Sequence, residues 1–287
     1  MAELKPINKV NSAESTGPIK YTAGSITKKK VKAYCLADDE FDWFKIMAFG
    51  IPGVGKTFGI NAFLKMGMKV VVLSSDIGGN GLRTVKAQLK KEGKEDLLKN
   101  LYWVDVDYET FKDFLNDPTI LDIGGGDIYA FDPDMVVWEG MSTWQMTHLS
   151  EFLSASDQEI EDKYQHYNIV LRGSTWTLDK FVTMHGKNDK KWHKYVTFHE
   201  SAPREDKISG ENLRGPLLQG SFRSIVAGAF DLVIQMKKKD DKEFEYICNS
   251  SKTLSKVRGL PLEAKEPADM EKLWKKITGK TATTIPA

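Results

Sequence analysis

Short, nearly continuous apolar runs recur along this chain, spaced to leave room for one helix between each pair. Lys45 to Phe49 is the first, Lys69-Val70-Val71-Val72-Leu73 the second, Tyr102 to Val106 the third and Met135-Val136-Val137-Trp138 the fourth. Runs this short without polar alternation predict strands buried on both faces. Between and after them, Thr57 to Leu64, Leu82 to Lys91, Tyr108 to Leu115 and Met141 to Leu153 carry helix-compatible spacing. The β-α-β order predicts an α/β fold, a mostly parallel sheet flanked by helices.

The second half is less regular. Leu178 to His185 has a helical pattern and Tyr195 to Phe198 reads as a strand. From His199 to Gly220 the chain is polar without clear period, which predicts a long working loop. A helix is expected over Ser221 to Ala229. Strands at Asp231 to Met236 and Glu243 to Cys248, joined across Lys237 to Lys242, predict a C-terminal β-hairpin. Met270, Leu273, Trp274 and Ile277 fall on one helical face. Residues 1–30 are rich in Ser, Thr, Gly and Lys and end in Lys28-Lys29-Lys30, the composition of a flexible N-terminal arm. The main domain is then expected over 31–279, with 280–287 as a C-terminal tail.

Composition narrows the partners. With 41% hydrophobic and 28% charged residues in 287, the chain is expected to be soluble and globular. A net charge of +1 gives no global basic field, so any nucleic-acid site has to be local. Two cysteines, Cys35 and Cys248, and five scattered histidines support neither a disulfide framework nor a zinc site, and His185 and His193 receive no metal role. No run approaches the roughly 18 apolar residues of a membrane span, so no membrane partner is expected and the cytoplasm is the expected location.

Residues 50–57 read GIPGVGKT, directly after the first apolar run and before a helix-compatible stretch. This is a phosphate-binding loop where a strand hands over to a helix. Gly50, Gly53 and Gly55 let backbone N–H groups curl around phosphate oxygens, and Ile51, Pro52, Val54 and Phe58 complete the cradle. Lys56 supplies a point charge near the β and γ phosphates, and Thr57 offers a hydroxyl to the Mg²⁺ that bridges them.

A parallel sheet gathers its ligand at the carboxyl ends of its strands, which ranks the remaining polar residues. Glu139 follows the fourth run and is placed to serve the magnesium shell; a strand-end Glu facing solvent is the plain alternative. Asp134 precedes that run, on the order of 16 Å away at the wrong edge. Asp76, after the second run, can orient the attacking water or simply make an Asx turn. His199 can sense the γ-phosphate, or be an ordinary strand-end histidine. Arg204, Lys207 and Arg214 in the polar stretch, and Lys187, Lys190, Lys191 and Lys194 around Trp192, have the residue types that track a phosphate backbone and stack a base; a solvated charged surface is the alternative. Lys252, Lys256 and Arg258 follow the last strand. In an assembly, Lys256 and Arg258 are candidates for a finger reaching a neighbour's γ-phosphate.

The set GIPGVGKT, SSDIGG, VVWEGMST, VTFHE, GPLLQGSFRSIVAGAFDLVI and SKVRG, in this order, resembles phage-encoded RecA-like ATPases of the single-strand annealing and recombination type, over about 31–275. The resemblance implies a RecA-like P-loop NTPase core, ATP and Mg²⁺ as cofactors, and Lys56, Asp76, Glu139 and His199 as the catalytic set. It also implies single-stranded DNA held by the stretch Glu200 to Gly220, a homo-oligomer with ATP near subunit interfaces, a single-strand DNA-binding protein among the partners, and the host cytoplasm as location. Two departures stand out: the magnesium-side acid is the longer Glu139 and the hydrolytic acid the shorter Asp76. Each moves a carboxylate by about 1.5 Å, a misplacement that slows chemistry, so slow DNA-stimulated hydrolysis is expected. A helicase loader or motor subunit working through protein partners is the first rival, and a small-molecule P-loop kinase the second.

Overall fold

The computed structural model describes residues 43–76, 79–155, 163–205, 210–240 and 243–279. The expected arm at 1–30, the tail at 280–287 and Lys207 lie outside the described residues. Ten strands form one mixed system: β1 (Lys45–Gly50), β2 (Val70–Ser74), β3 (Leu101–Asp105), β4 (Met135–Glu139), β5 (His193–Glu205), β6 (Asn212–Pro216), β7 (Leu232–Lys238), β8 (Phe244–Ile247), β9 (Lys256–Val257) and β10 (Lys265–Pro267). Their order is β10-β8-β7-β1-β5-β4-β2-β3, with β6 on β5 and β9 on β7. From β7 to β3 every pairing is parallel. Beyond β7 the sheet turns antiparallel through the expected C-terminal hairpin with β8.

The strands lack polar alternation because each face has its own core. β2 sends Val71 and Leu73 into one layer and Val70 and Val72 into the other. The first layer is closed by α3 (Tyr108–Asn116), α5 (Met141–Ala155), α6 (Lys163–Thr183) and α7 (Phe222–Ile225), which bring Phe111, Trp144 and Phe181 against Trp138 and add Phe114 and Phe222 to the same cluster. The second is closed by α1 (Ile60–Lys65), α2 (Asn80–Lys91) and α8 (Met270–Thr278); the Met270, Leu273, Trp274 and Ile277 face meets Phe63 there. Capping carboxylates fix where helices begin: Asp107 accepts from the Thr110 amide at 2.7 Å, and Asp269 from Lys272 at 3.0 Å. Among the described residues no helix is long and apolar enough to cross a membrane.

Three elements differ from the sequence reading. The helix expected at 178–185 begins at Lys163 and ends at Thr183. The helix expected over 221–229 is a short α7 followed by a 3-10 turn over Val226–Ala229. The third difference matters most: the polar stretch after His199 is a β-hairpin. β5 continues to Glu205, and β6 returns antiparallel to it with Glu200 opposite Pro216 and Arg204 opposite Leu213. Beyond Ser201 all four remaining β5 residues are exposed, and β6 buries Leu213, Gly215 and Pro216 within only five residues, so neither half carries an apolar run long enough to imprint a period on the sequence.

Candidate functional site

The loop after β1 folds as the glycines require. Gly53 and Gly55 take φ of 81° and 90°, the left-handed region where a side chain is strained. Gly50 is needed for another reason: a Cβ there would stand 2.5 Å from the Met236 carbonyl oxygen on β7. A 3-10 turn over Thr57–Gly59 then leads into α1. The Lys56 ammonium lies within the loop, donating to the Gly50 carbonyl at 2.9 Å and the Ile51 carbonyl at 3.0 Å. The Tyr195 hydroxyl on β5 donates to the Lys56 carbonyl at 2.8 Å and anchors the loop from below.

The carboxyl ends of β2, β4 and β5 bring the other expected residues together. Glu139 is buried. It accepts from the Thr57 hydroxyl, and from the Ser74 hydroxyl at 3.1 Å. Gly81 on α2 permits this packing, since a Cβ there would press on Glu139 Oε1 and Thr57 Oγ1. Asp76 accepts from the Thr143 hydroxyl at 2.7 Å through Oδ1. Gly140, at φ of 80°, makes room for that carboxylate: a Cβ would sit 2.5 Å from Asp76 Oδ1. Its amide donates to Thr197 Oγ1 at 3.0 Å, which ties the turn after β4 to β5. His199 is held through its backbone amide, which donates to Ser142 Oγ at 3.1 Å, and its Nδ1 is buried without a hydrogen-bond partner.

Electrostatics couples the set. Burial lowers the Lys56 pKa, and Asp76, Glu139 and Glu200 oppose that shift. Burial raises the Glu139 pKa and Asp76 adds to the rise, against the Thr57 and Ser74 hydrogen bonds and the Lys56 charge. His199 is lowered by burial and by Lys56, with Asp76 opposing, which favours the neutral imidazole. A hydroxyl and a carboxylate in contact at the end of a phosphate loop are hard oxygen donors of the kind Mg²⁺ takes alongside substrate phosphates and water. Among the described residues no three His, Cys, Asp or Glu gather into a metal cage of their own.

The hairpin rises from this cluster. Glu200 follows His199 on β5 and accepts from Arg214 on β6 at 2.8 Å; the glutamate side chain is 7% exposed and the arginine 50%. Arg204 is exposed further out on β5. Lys252 adjoins the base of the hairpin, its carbonyl accepting from the Arg214 amide at 2.9 Å. A cleft of about 590 Å³ opens there, lined by Ile51 of the phosphate loop, Glu200, Arg214, Lys237, Lys238 and Lys252 among others. Lys256 and Arg258 are elsewhere. β9 runs antiparallel to β7 with Lys256 opposite Val233, and the Arg258 amide donates to the Asp231 carbonyl, so both sit at the amino-terminal edge of the sheet.

The run around Trp192 divides. Trp192 and Lys194 are buried, and Lys190 pairs with Asp132 at 3.0 Å and Asp134 at 3.4 Å, so of the four lysines Lys187 and Lys191 are the exposed ones with no ion pair among the described residues. Sequence reasoning did not pick out Ser74, Thr143, Glu200, Tyr195 or Gly140. For Ser74, Glu200 and Gly140 a signal exists, adjacency to a strand end. For Thr143 and Tyr195 there is none, because their roles depend on which strand lies beside which.

No protein-family profile matches the chain, and no curated protein matches it in sequence. Solved structures do resemble it. The RadB recombinase is 10% identical, covers 79% of this chain and 88% of its own, and superposes with a TM-score of 0.47. The flagellar accessory protein FlaH from Methanocaldococcus jannaschii is 13% identical over 78% of this chain and 86% of its own, at a TM-score of 0.38. EscN from enteropathogenic E. coli, an assembled type III secretion ATPase in complex with its stalk EscO, is 13% identical over 69% of this chain and 43% of its own, at 0.43. The fold is a mostly parallel mixed sheet flanked by helices, with the glycine-rich loop GIPGVGKT after its central strand β1.

Proposed function

We propose that this chain is an ATPase that binds single-stranded DNA in phage recombination or strand annealing, its nucleotide state setting the grip of the β5–β6 hairpin. The observation that carries this reading is the continuity of β5. One strand holds His199 beside Lys56 and Asp76, then Glu200 in its ion pair with Arg214, then Arg204 on the exposed ribbon.

The loop amides and Lys56 hold the triphosphate, Lys56 exchanging the Gly50 and Ile51 carbonyls for phosphate oxygens. Thr57 and Glu139 are the residues that would hold Mg²⁺, which when bound neutralises charge between the β and γ phosphates. Asp76, one oxygen already engaged by Thr143, orients a water on the γ-phosphorus and accepts its proton as the bond to ADP breaks. The neutral His199 imidazole hydrogen-bonds the γ-phosphate through a ring nitrogen. Loss of that phosphate alters the balance among Lys56, His199 and Glu200, and with it how tightly Glu200 holds Arg214. Lys256 and Arg258 sit at the opposite edge from their own loop, so they serve as fingers only for a neighbour in a homo-oligomer.

ATP turnover with and without single-stranded DNA, joined to gel shifts of wild type, Lys56→Ala and Arg214→Ala in ATP, ADP and no nucleotide, tests this. DNA-stimulated turnover, loss of nucleotide dependence in Lys56→Ala and weaker binding of Arg214→Ala in every state are expected. Equal DNA affinity across all samples would overturn the reading.

A further inference from the structure

The opposite edge of the same sheet carries a second concentration of cations, and it surrounds an aromatic ring. The parallel strands β1, β5 and β7 all start there, which brings Lys45, Lys191 and the Asp231–Arg258 turn into one neighbourhood. Trp43 stands immediately before β1, partly exposed, with Lys45 Nζ 4.9 Å and Lys191 Nζ 5.7 Å from its ring centroid. Its ring helps wall two hollows. One, of about 470 Å³, is lined by Lys45, Asp231, Arg258 and Leu260 among others. The second, of about 260 Å³, is lined by Asp134, Lys190, Lys191 and His193.

Among the described residues, Asp134 and Asp231 at this edge are already hydrogen-bonded. Asp231 accepts from the Lys45 backbone amide at 2.9 Å, and Asp134 from the Lys69 amide at 2.9 Å as well as from Lys190. Among the described residues no carboxylate pairs with the ammonium of Lys45, Lys191 or Lys256. Like charges are crowded instead: Lys45 and Lys191 lie against the same Trp43 ring, and Arg258 lines the hollow that Lys45 also lines. Burial lowers Lys256, and Arg258 and Lys45 lower it further against Asp231. A fold that gathers mutually repelling cations gains when a polyanion arrives, because repulsion is replaced by attraction.

We propose that this edge is a second binding site for a single-stranded polynucleotide, with Lys45, Lys191 and Arg258 on phosphates and a base against the Trp43 ring. The ring decides the ligand class. An acidic peptide is satisfied by the cations alone, whereas a nucleotide chain uses cations and a π face at alternating positions, as here. The site is independent of the hairpin, about five residues of strand rise away along β1, on the order of 16 Å.

The test uses the full chain with its hairpin silenced by Arg204→Ala and Arg214→Ala, titrated into labelled oligothymidylate at several salt concentrations without nucleotide. Residual salt-dependent binding with quenching of tryptophan emission is expected. Adding Lys45→Gln and Lys191→Gln should weaken it about tenfold and lower the salt slope by about 1.4, the value for two single-strand phosphate contacts. Lys45→Arg with Lys191→Arg should restore both, and Trp43→Phe should remove the quench, with unfolding curves confirming that each variant is folded. An unchanged slope in the Gln pair, a quench that persists in Trp43→Phe, or displacement by polyglutamate or anionic vesicles as effective as by DNA would overturn the proposal. Failure of the hairpin reading alone would leave the Trp43 signal in place.

Discussion

The two ends of the central strands are made from the same backbone and do opposite things. At the carboxyl ends, Gly53 and Gly55 take left-handed φ and Gly50 and Gly140 leave room, so that a hydrogen-bonded ammonium and two hydrogen-bonded carboxylates come close to an imidazole. At the amino ends long lysines spread over aromatic rings: Lys45 and Lys191 on Trp43, Lys69 on Phe131, Lys187 on Tyr129. The first arrangement orders opposite charges around a small space where charge can be transferred. The second leaves like charges at a surface that binds without chemistry. What separates them is strand direction: in parallel pairing every loop that follows a strand lands on one edge and every loop that precedes one lands on the other.

The comparison breaks most visibly at Asp76. Asp76→Asn should lower ATP turnover by about 10²–10⁴-fold while ATP still binds, read from single-turnover phosphate release beside equilibrium nucleotide titration. Retained turnover would move the water-activating role to another residue.

Lys194 sharpens the amino-edge side. Its buried amino group donates to the Met184 carbonyl at 2.8 Å, close to the rings of Trp192 and Phe181, and burial pushes its pKa well below the usual lysine value. The unfolded chain therefore binds a proton that the folded chain lacks, so stability falls as pH drops below the free-lysine value until the folded pKa is reached. Over that window wild type should lose about 1.4 kcal/mol per pH unit relative to Lys194→Met, measured by urea unfolding at a series of alkaline pH values. Parallel profiles would show that Lys194 keeps its charge.

Glu139 provides the carboxyl-edge counterpart with the sign reversed. Its pKa is raised by burial, so between the free-glutamate value and the folded one the folded state holds the extra proton and stability falls as pH rises. Glu139→Gln should then raise the urea midpoint at neutral pH while lowering Mg²⁺-dependent turnover. A lower midpoint would mean that the hydrogen bonds to Thr57 and Ser74 outweigh the desolvation.

The smallest effect is expected at the hairpin base. Glu200→Gln releases Arg214 from a carboxylate and should tighten single-stranded DNA binding about threefold at low salt, an advantage lost as salt is raised. Weaker binding in the variant would show that the ion pair shapes the hairpin rather than restraining its charge.

Most of the architecture was legible because buried parallel strands write themselves as apolar runs, and the phosphate loop because its glycines and lysine must be adjacent in sequence to curl around one phosphate. The hairpin was not legible. The β5 half ends in four exposed residues and the β6 half is only five residues long, too short a run to show a hydrophobic period, and Glu205 and Asn212 meet only once the chain has turned back. The Trp192 run misled for the complementary reason: four lysines in eight residues read as a surface, yet the start of β5 carries Lys194 into the interior, where aromatic faces and a carbonyl receive it.

Sequence by itself determined the local chemistry: a glycine-rich loop ending in lysine and threonine, the strands and helices on either side of it, and acids or a histidine at strand ends. Only the tertiary structure decided which of those ends are neighbours, that Thr143 reaches Asp76 and Tyr195 reaches the phosphate loop, and that lysines far apart in the chain share one edge. Backbone propensity and periodicity act over a few residues, whereas strand order is set by how two core layers are filled at once, and that balance is a property of the whole fold.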